Sequence, residues 1–576
     1  MDRTKNTLRN IIWGMLNKFI TLLFPFILRS FIIRKLGSEY LGLSSLFTSI
    51  LQVLNLTEMG FSSAIVFSMY KPIAENDTKT ICALTNYYKK IYRIIGCIIG
   101  VMGIIIAPFI PNLISGTYPS SINIYILYFI YLTNTVVTYF LFAYKSAILT
   151  ANQRSDIISN ANSVVYIIQY FIQILVLCAY KNYYMYVGIM IITNIINNIL
   201  IGYITNKKYP QYVGKENLDR NIKKDIKKRV MGLIIQKICA TTRNSLDSIF
   251  LSMFLGLNIV AIYSNYYTIM NSVTSVLTLV TSSMVASIGN SIVKKSISEN
   301  FQGLKKFDFM YMWISGWFTI CLLCLFQPFM KIWMGENYLM PLSTVVLFCI
   351  YFYALKMGDI RTAYNQATGL WWEGKYRALA ETLLNIILNY FLGKYFGVNG
   401  IIIATILSII LVNFIYGSTI IFKYYFKQNN IFEYYFAHLE YIFITLINAV
   451  LTYFIISKIK LMNNIINLLV YILICCIVPN VVYIIFYQKN KHFKESTDFV
   501  KNIFNNIENK IENTEQNTEV PGNTENTETN TEITNNTESN KNNEIFQEKN
   551  NITNTENRNT ENENYEVESN IESDND

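Results

Sequence analysis

Charged residues and histidine are scarce in this chain. Of its 576 residues only 15% are charged, whereas a soluble domain carries about 25%. The two histidines, His438 and His492, lie at or beyond the ends of long apolar segments. A metal centre needs several such ligands close together, so no metal is expected.

The chain has no nucleotide-binding motif, and its cysteine pairs do not indicate redox chemistry. The pattern G-x-x-x-x-G-K-[ST] does not occur, so the chain is not expected to hydrolyse ATP itself. The pairs Cys321-x-x-Cys324 and Cys475-Cys476 lie inside apolar segments, and we interpret these residues as small apolar side chains. We therefore expect a non-enzymatic protein without a cofactor.

What the chain has in abundance is apolar sequence. Hydrophobic residues make up 52% and come in blocks of about twenty, the length that crosses a hydrocarbon layer of about 30 Å. The pattern predicts an all-α polytopic membrane protein of about 14 transmembrane helices, with 12 as the alternative if the last pair is wrong. The predicted spans are 11–33, 41–69, 94–115, 122–144, 157–179, 183–205, 230–254, 258–292, 309–330, 341–367, 378–393, 400–422, 438–457 and 464–488. Segment 258–292 is long for one span, so it either extends beyond the membrane or contains a break.

The distribution of basic residues predicts the orientation. With the N-terminus in the cytoplasm, cytoplasmic segments hold 31 Lys and Arg residues and external segments hold 7. Cytoplasmic loops of membrane proteins carry this excess. Both termini are therefore predicted to be cytoplasmic. The net charge of +10 is explained by these flanking segments, and no nucleic-acid partner is expected.

The chain divides into two similar halves and two appendages. Leu36-Gly37 followed by Leu41-Gly42-Leu43 resembles Leu255-Gly256 followed by Val260-Ala261-Ile262, as in a duplicated six-helix transporter. Beyond the second half, an Asn-Thr-Glu repeat with few apolar residues predicts disorder. The predicted parts are a six-helix bundle at 1–205, a basic linker at 206–229, a second bundle at 230–423, two additional helices at 424–490, and an acidic cytoplasmic tail at 502–576.

Ionisable residues inside predicted spans are functional candidates, because burying a charge in a bilayer is costly. Lys18 and Arg29 are eleven residues apart and share one helix face. They either line a cavity or extend toward the headgroups on opposite sides.

Arg243 and Asp247 form an i,i+4 pair near the middle of a span. The pair either contacts a substrate or ion, or merely neutralises itself. Glu58 is a carboxylate that can bind a proton or Na⁺, or else serve helix packing.

Further charges lie toward the cytoplasmic side of the second half. Lys356, Asp359 and Arg361 close one span, and Glu381 opens the next, with Asn385 and Asn389 on its face. Pairing of Arg361 with Glu381 is an option. Asp359, Arg361 and Glu381 are candidates for gating or for packing.

Six stretches of the chain form a distinctive set of motifs. They are LGSEYLGLSSLFTSIL at 36–51, EMGFSSAI at 58–65, YKPIA at 70–74, NSLDS at 244–248, YSNY at 263–266 and IGN at 288–290. With these motifs the chain resembles the polysaccharide repeat-unit flippases of bacteria, over about residues 1–490. This family transports O-antigen and capsule precursors and belongs to the multidrug/oligosaccharidyl-lipid/polysaccharide exporter superfamily.

The resemblance implies two six-helix bundles that form a V around a cationic cavity, with two extra C-terminal helices. It implies movement of undecaprenyl-diphosphate-linked repeat units across the bacterial cytoplasmic membrane by alternating access. Arg29, Lys18, Arg243 and Asp247 are the candidate substrate-binding residues. Glu58 is the candidate for coupling to H⁺ or Na⁺. Polymerase and glycosyltransferases of the same pathway are candidate partners.

Three alternatives stay open. A peptidoglycan-precursor flippase has similar requirements. A multidrug exporter of the same superfamily needs acidic cavity residues, whereas the intramembrane excess here is basic. A membrane-embedded polymerase or ligase needs a large charged external loop, which is not visible.

Overall fold

The structure of the protein is a computed structural model. It describes residues 3–55, 61–214, 216–220, 222, 226, 241, 243, 245–370, 373–427, 431–459, 463–498 and 501. These residues are almost entirely helical. Glu58 and the predicted tail at 502–576 lie outside the described residues, so the predictions about them stay untested.

Seventeen α-helices follow one another in the described part of the chain. Short 3₁₀ turns separate some of them, and π-helical turns at Ile409–Tyr416 and Phe422–Phe426 flank α15. The helices are α1 Arg3–Lys35, α2 Ser38–Leu54, α3 Phe61–Ala74, α4 Thr78–Ile106, α5 Ile124–Phe140, α6 Ser146–Ala151, α7 Ser155–Ala179, α8 Tyr183–Lys208, α9 Ser245–Leu255, α10 Leu257–Lys294, α11 Ile297–Trp333, α12 Leu342–Lys356, α13 Asp359–Thr368, α14 Lys375–Ser408, α15 Gly417–Ile421, α16 Ile431–Ser457 and α17 Asn464–Tyr487.

The polytopic all-α fold is confirmed. Ten helices in the described residues are long and apolar enough to cross a membrane, or eleven if one bent pair counts as a span. One of the ten, Lys375–Phe426, has 52 residues, about twice what a span needs. Its backbone breaks at Gly397, where φ is +57°. The total of fourteen spans and the orientation of the termini remain predictions.

The two halves repeat with a constant spacing along the chain. α2 and α10 begin at Ser38 and Leu257, and α4 and α11 begin at Thr78 and Ile297. Both pairs are 219 positions apart (257 minus 38 and 297 minus 78). Helices without insertions or deletions between them keep equivalent side chains on equivalent faces. The faint internal similarity in the sequence therefore extends to the tertiary structure.

The helix that contains segment 258–292 is continuous. α10 runs from Leu257 to Lys294 without a break, over 38 residues. At about 1.5 Å per residue it is longer than a hydrocarbon layer of about 30 Å. Of the two alternatives for this segment, the structure therefore has the extended helix.

Each half has its own hydrophobic core. One core is built from buried residues between Leu28 and Ile226, with Leu257 and Ala261 added from the second half. The other runs from Phe250 to Tyr487 and includes residues of α16 and α17. These last two helices pack against α11. The described helices lie in one unit within Met1–Asp498.

Candidate functional site

A polar cavity of about 280 Å³ lies where α1 and α2 of the first half meet α9 and α10 of the second. Every one of its twelve lining residues has a polar side chain, although 52% of the chain is hydrophobic. The first half contributes Arg29, Ser44, Ser45, Thr48, Ser49 and Gln52. The second half contributes Ser248, Tyr263, Ser264, Tyr267, Thr268 and Asn271.

The lining residues form six equivalent pairs at the 219-residue spacing of the repeat. Gln52 is paired with Asn271, Ser45 with Ser264, and Arg29 with Ser248. On α2 and on α10 they recur at i, i+1, i+4, i+5 and i+8, which is one face of a helix. The cavity therefore lies on the internal symmetry of the molecule. A search of the sequence at this spacing would have found its neutral residues, which the choice of charged candidates missed.

Arg29 is the only charged residue in the described lining. Its Nη1 donates to Ser264 Oγ at 2.9 Å and to Asn265 Oδ1 at 3.0 Å. Both acceptors lie on α10, so the guanidinium connects the two halves. No carboxylate of the described residues forms an ion pair with it. Arg29 is thus held by neutral groups and keeps its full charge facing the cavity.

Lys18 does not line this cavity, although it shares one face of α1 with Arg29. Of the two alternatives for Lys18, lining the same cavity is not what the structure shows. It is half-buried on α1, and its neighbour Asn17 donates to Ser159 and Ser163 on α7. Eleven residues of helix rise about 16 Å. The same face therefore reaches the level of the cavity at Arg29 but not at Lys18.

Arg243 is also outside the cavity lining, and its direct ion pair is with Glu381 of α14 rather than with Asp247. Arg243 is 7% exposed. Arg377 contacts the other carboxylate oxygen of Glu381 at 3.0 Å, so the fold places Glu381 between two arginines. Asp247 lies within electrostatic range of Arg243, and the role of this i,i+4 pair stays a prediction.

Arg361 and Glu381 do not pair directly. Asn413, in the first π-helical turn, donates to Glu381 Oε2 at 3.0 Å and accepts from Arg361 Nη2 at 2.9 Å. Arg361 is only 1% exposed. Asp359 instead binds Lys356 Nζ at 2.8 Å and Tyr311 Oη at 2.6 Å. The gating roles of these residues stay predictions.

Asp247 is buried directly behind the cavity wall. It is 1% exposed and accepts hydrogen bonds from Tyr263 at 3.1 Å, Asn389 at 3.0 Å and Thr405 at 3.1 Å. Among these donors only Tyr263 also lines the cavity. Asp247 therefore contacts the cavity through Tyr263, and all of its hydrogen-bond donors in the described residues are neutral.

The two halves touch at the end of the cavity where α1 ends and α2 begins. Trp333 Nε1 donates to the carbonyl of Phe26 at 2.8 Å, and the Ser115 amide donates to Ser252 at 2.8 Å. A Cβ added at Gly42 of α2 would overlap the carbonyl oxygen of Leu257. Under the predicted orientation this closed end is external.

Comparison with known proteins bears on these features. Residues 7–286 match the family model described as polysaccharide biosynthesis protein. Over these 280 of its 576 residues the chain is similar to the polysaccharide biosynthesis protein family. The resemblance inferred from the sequence is thereby confirmed. Among curated proteins, no sequence matches the chain.

Solved transporters share the fold at low sequence identity. The lipid II flippase MurJ in an inward closed conformation has a TM-score of 0.61 at 17% identity, covering 83% of this chain and 99% of MurJ. An inward-facing multidrug transporter of the MATE family has a TM-score of 0.55 at 13% identity, covering 71% and 96%. A MATE transporter of Vibrio cholerae has 0.51 at 14% identity, covering 74% and 99%. These likenesses show the fold of a multi-pass membrane transporter.

Proposed function

We propose that this protein is a flippase that moves undecaprenyl-diphosphate-linked oligosaccharide repeat units across the bacterial cytoplasmic membrane. The observation that carries the proposal is the cavity: one arginine among eleven neutral hydrogen-bonding side chains. Such a lining suits a ligand with an anionic group and many hydroxyls. It does not suit an apolar ligand, whose sites are lined mainly by hydrophobic side chains.

Arg29 is the proposed contact of the diphosphate. A guanidinium can hold phosphate oxygens through two parallel hydrogen bonds. In the closed structure its Nη1 is occupied by Ser264 and Asn265 of α10. A diphosphate that replaces these acceptors would remove one connection between the halves. Substrate binding would thereby favour their separation.

Separation of the halves is needed for transport. The cavity of about 280 Å³ is smaller than the roughly 300–1,000 Å³ typical of pockets for drug-sized ligands, and a repeat unit with its diphosphate is larger than that. The contacts of Trp333 and Gly42 close one end. We therefore propose rocking of one half against the other around the cavity, with the lipid tail remaining in the bilayer.

Asp247 is a proposed site of coupling to H⁺ or Na⁺, beside the untested Glu58. The described hydrogen-bond donors to Asp247 are neutral, and the nearby Arg243 forms its direct ion pair with Glu381. A buried carboxylate in such surroundings is costly unless it binds a proton or a cation.

Asn389 and Thr405 donate to Asp247, and Asn385 bonds both of these donors in turn. Tyr263 donates a hydrogen bond to Asp247 and also lines the cavity. Binding of an ion to Asp247 would therefore alter the position or hydrogen bonding of a side chain in the cavity wall.

The same lining argues against the alternatives. A multidrug exporter for cations would need a carboxylate facing the ligand, and the described lining contains none. A peptidoglycan-precursor flippase is the second candidate, since it also carries a lipid diphosphate with sugars. Its precursor bears a peptide with carboxylates, for which the described lining offers only Arg29. We further propose that both termini are cytoplasmic. Polymerase and glycosyltransferases of the same pathway are the proposed partners.

The test is complementation of a strain that lacks the gene. The intact chain should restore surface polysaccharide, and without it lipid-linked repeat units should accumulate inside. Arg29→Ala should fail to complement while remaining in the membrane. Lys331→Ala, which removes a cation outside the cavity, is the matched control and should complement. Normal polymer from Arg29→Ala would contradict the role of Arg29, and normal polymer without the gene would contradict the function.

Coupling is tested with purified protein in vesicles. Asp247→Asn keeps the shape of the side chain and removes its charge. Transport by the intact protein should respond to an imposed H⁺ or Na⁺ gradient, whereas transport by the variant should not. An unchanged response of the variant would move the coupling site elsewhere, with Glu58 the next candidate.

A further inference from the structure

We infer that the sugar part of the transported lipid is uncharged near the diphosphate, and that Arg29 serves the diphosphate alone. This inference rests on the proposed function and concerns the same cavity. It narrows the substrate from any lipid-linked oligosaccharide to one whose first sugars are neutral, carrying hydroxyl or acetamido groups rather than carboxylates.

The first argument is the charge balance of the cavity. A diphosphate diester carries two negative charges, and the described lining offers one cation, Arg29. Two other basic residues of the described part of the chain do not add to it. Arg243 is engaged by Glu381 outside the lining, and Lys18 lies about 16 Å away along α1. A uronic acid would bring a third negative charge with no further cation in the described lining to meet it, and a buried charge without a partner is costly.

The second argument is the supply of neutral hydrogen-bonding groups. Six lining side chains form no hydrogen bond with another described residue and remain available to a ligand. Hydroxyl and amide groups can both donate and accept, as can sugar hydroxyls and acetamido groups. These six are Ser45, Thr48, Ser49, Ser248, Tyr267 and Asn271.

The third argument is the shape of the two walls. Tyr263 and Tyr267 of the second half stack with ring centroids 6.2 Å apart and an interplanar angle of 11°. Their equivalents in the first half are the smaller Ser44 and Thr48. Tyr263 is buried behind the half-buried Tyr267. An amphipathic ring such as a neutral sugar can lie against Tyr267 on one side and bond small hydroxyl groups on the other. No carboxylate is needed for this fit.

The test compares two synthetic lipids that differ in one group. Both have a polyprenyl diphosphate and an N-acetylhexosamine; the second sugar is a hexose in one and the corresponding hexuronic acid in the other. Binding to the full chain in nanodiscs is measured by microscale thermophoresis. The neutral lipid should bind about tenfold more tightly, the cost of one poorly compensated charge.

Variants separate this inference from the proposed function. Thr48→Lys adds a cation to an exposed position of the wall and should shift the preference toward the acidic lipid. Ser248→Arg adds one at the position equivalent to Arg29 and should act in the same direction. If one variant does not fold, the other still decides. Arg29→Ala should weaken both lipids by similar factors, because both carry the diphosphate.

The outcomes are distinguishable. Equal or tighter binding of the acidic lipid by the unaltered protein would overturn the inference and leave the proposed function intact. Weakening of only the acidic lipid by Arg29→Ala would also overturn it, since Arg29 would then contact the sugar. Binding of neither lipid would overturn the proposed function and the inference with it.

Discussion

The two halves of the chain place similar side chains around the cavity and different side chains behind it. In the cavity lining, residues with a hydroxyl group are equivalent to residues with a hydroxyl group, and Gln52 is equivalent to Asn271. The pair of Arg29 and Ser248 is the exception. Behind the second wall lies the polar group of Asp247, Asn389 and Thr405. At the equivalent positions of the first half lie Leu28, Tyr170 and Tyr186.

The contrast between the matching cavity walls and the dissimilar residues behind them indicates that different requirements act on the wall and on the interior of each half. A ligand that both walls contact requires matching groups in both, whereas nothing requires the interiors of the two halves to match. Asp247, Glu381 and Arg243 are buried in the second half of the described chain. Under the proposed function, the paired walls would contact the substrate, and the buried charges of the second half would serve ion coupling or stability.

The largest expected effect is on stability, at Glu381. Glu381→Ala leaves Arg243 and Arg377 without their carboxylate, and breaking a buried ion pair costs about 3–5 kcal/mol. The equivalent residue of the first half, Asn162, accepts one neutral hydrogen bond from Asn197 at 2.8 Å. Asn162→Ala should cost about 1 kcal/mol. Thermal unfolding of both purified variants measures the contrast, and equal losses would contradict it.

The next effect concerns Arg29 and Ser248, the equivalent lining positions of which one carries a charge. Arg29→Ser makes the two walls alike at this pair and should slow transport of a neutral lipid-linked disaccharide into vesicles about 100-fold, the loss of two charge-assisted hydrogen bonds. The double variant Arg29→Ser with Ser248→Arg restores one cation on the opposite wall. It should recover part of the rate. Full activity of the single variant would show that the charge is dispensable.

The smallest effect tests the close approach of the halves. Gly42→Val places a side chain against the carbonyl of Leu257, and overpacking of this kind costs about 1–3 kcal/mol. Closure should be disfavoured and transport should fall about tenfold. Gly188→Val is the control, because a Cβ at Gly188 meets nothing within 4 Å. Similar rates for both variants would mean that the α2–α10 contact does not limit transport.

Prediction from sequence succeeded where a pattern was long. Apolar blocks of about twenty residues predicted the helices. The motifs that carry the family resemblance were distinctive enough for the resemblance to be confirmed. Arg29 was found because an arginine inside an apolar block is conspicuous. Arg243 and Asp247 were equally conspicuous, but they are not among the described lining residues of this cavity. A charge inside a span shows that a partner exists and does not show whether that partner is a ligand or another helix.

The amino-acid sequence by itself determined the membrane-spanning helices, because burial in a bilayer demands apolar runs with internally bonded backbones. It also contained the repeat, in positions 219 apart. Only the tertiary structure decided that Arg29 faces a cavity while Arg243 meets Glu381. The reason is that helix periodicity defines which residues share a face, whereas the identity of the facing helix depends on packing between segments more than a hundred residues apart.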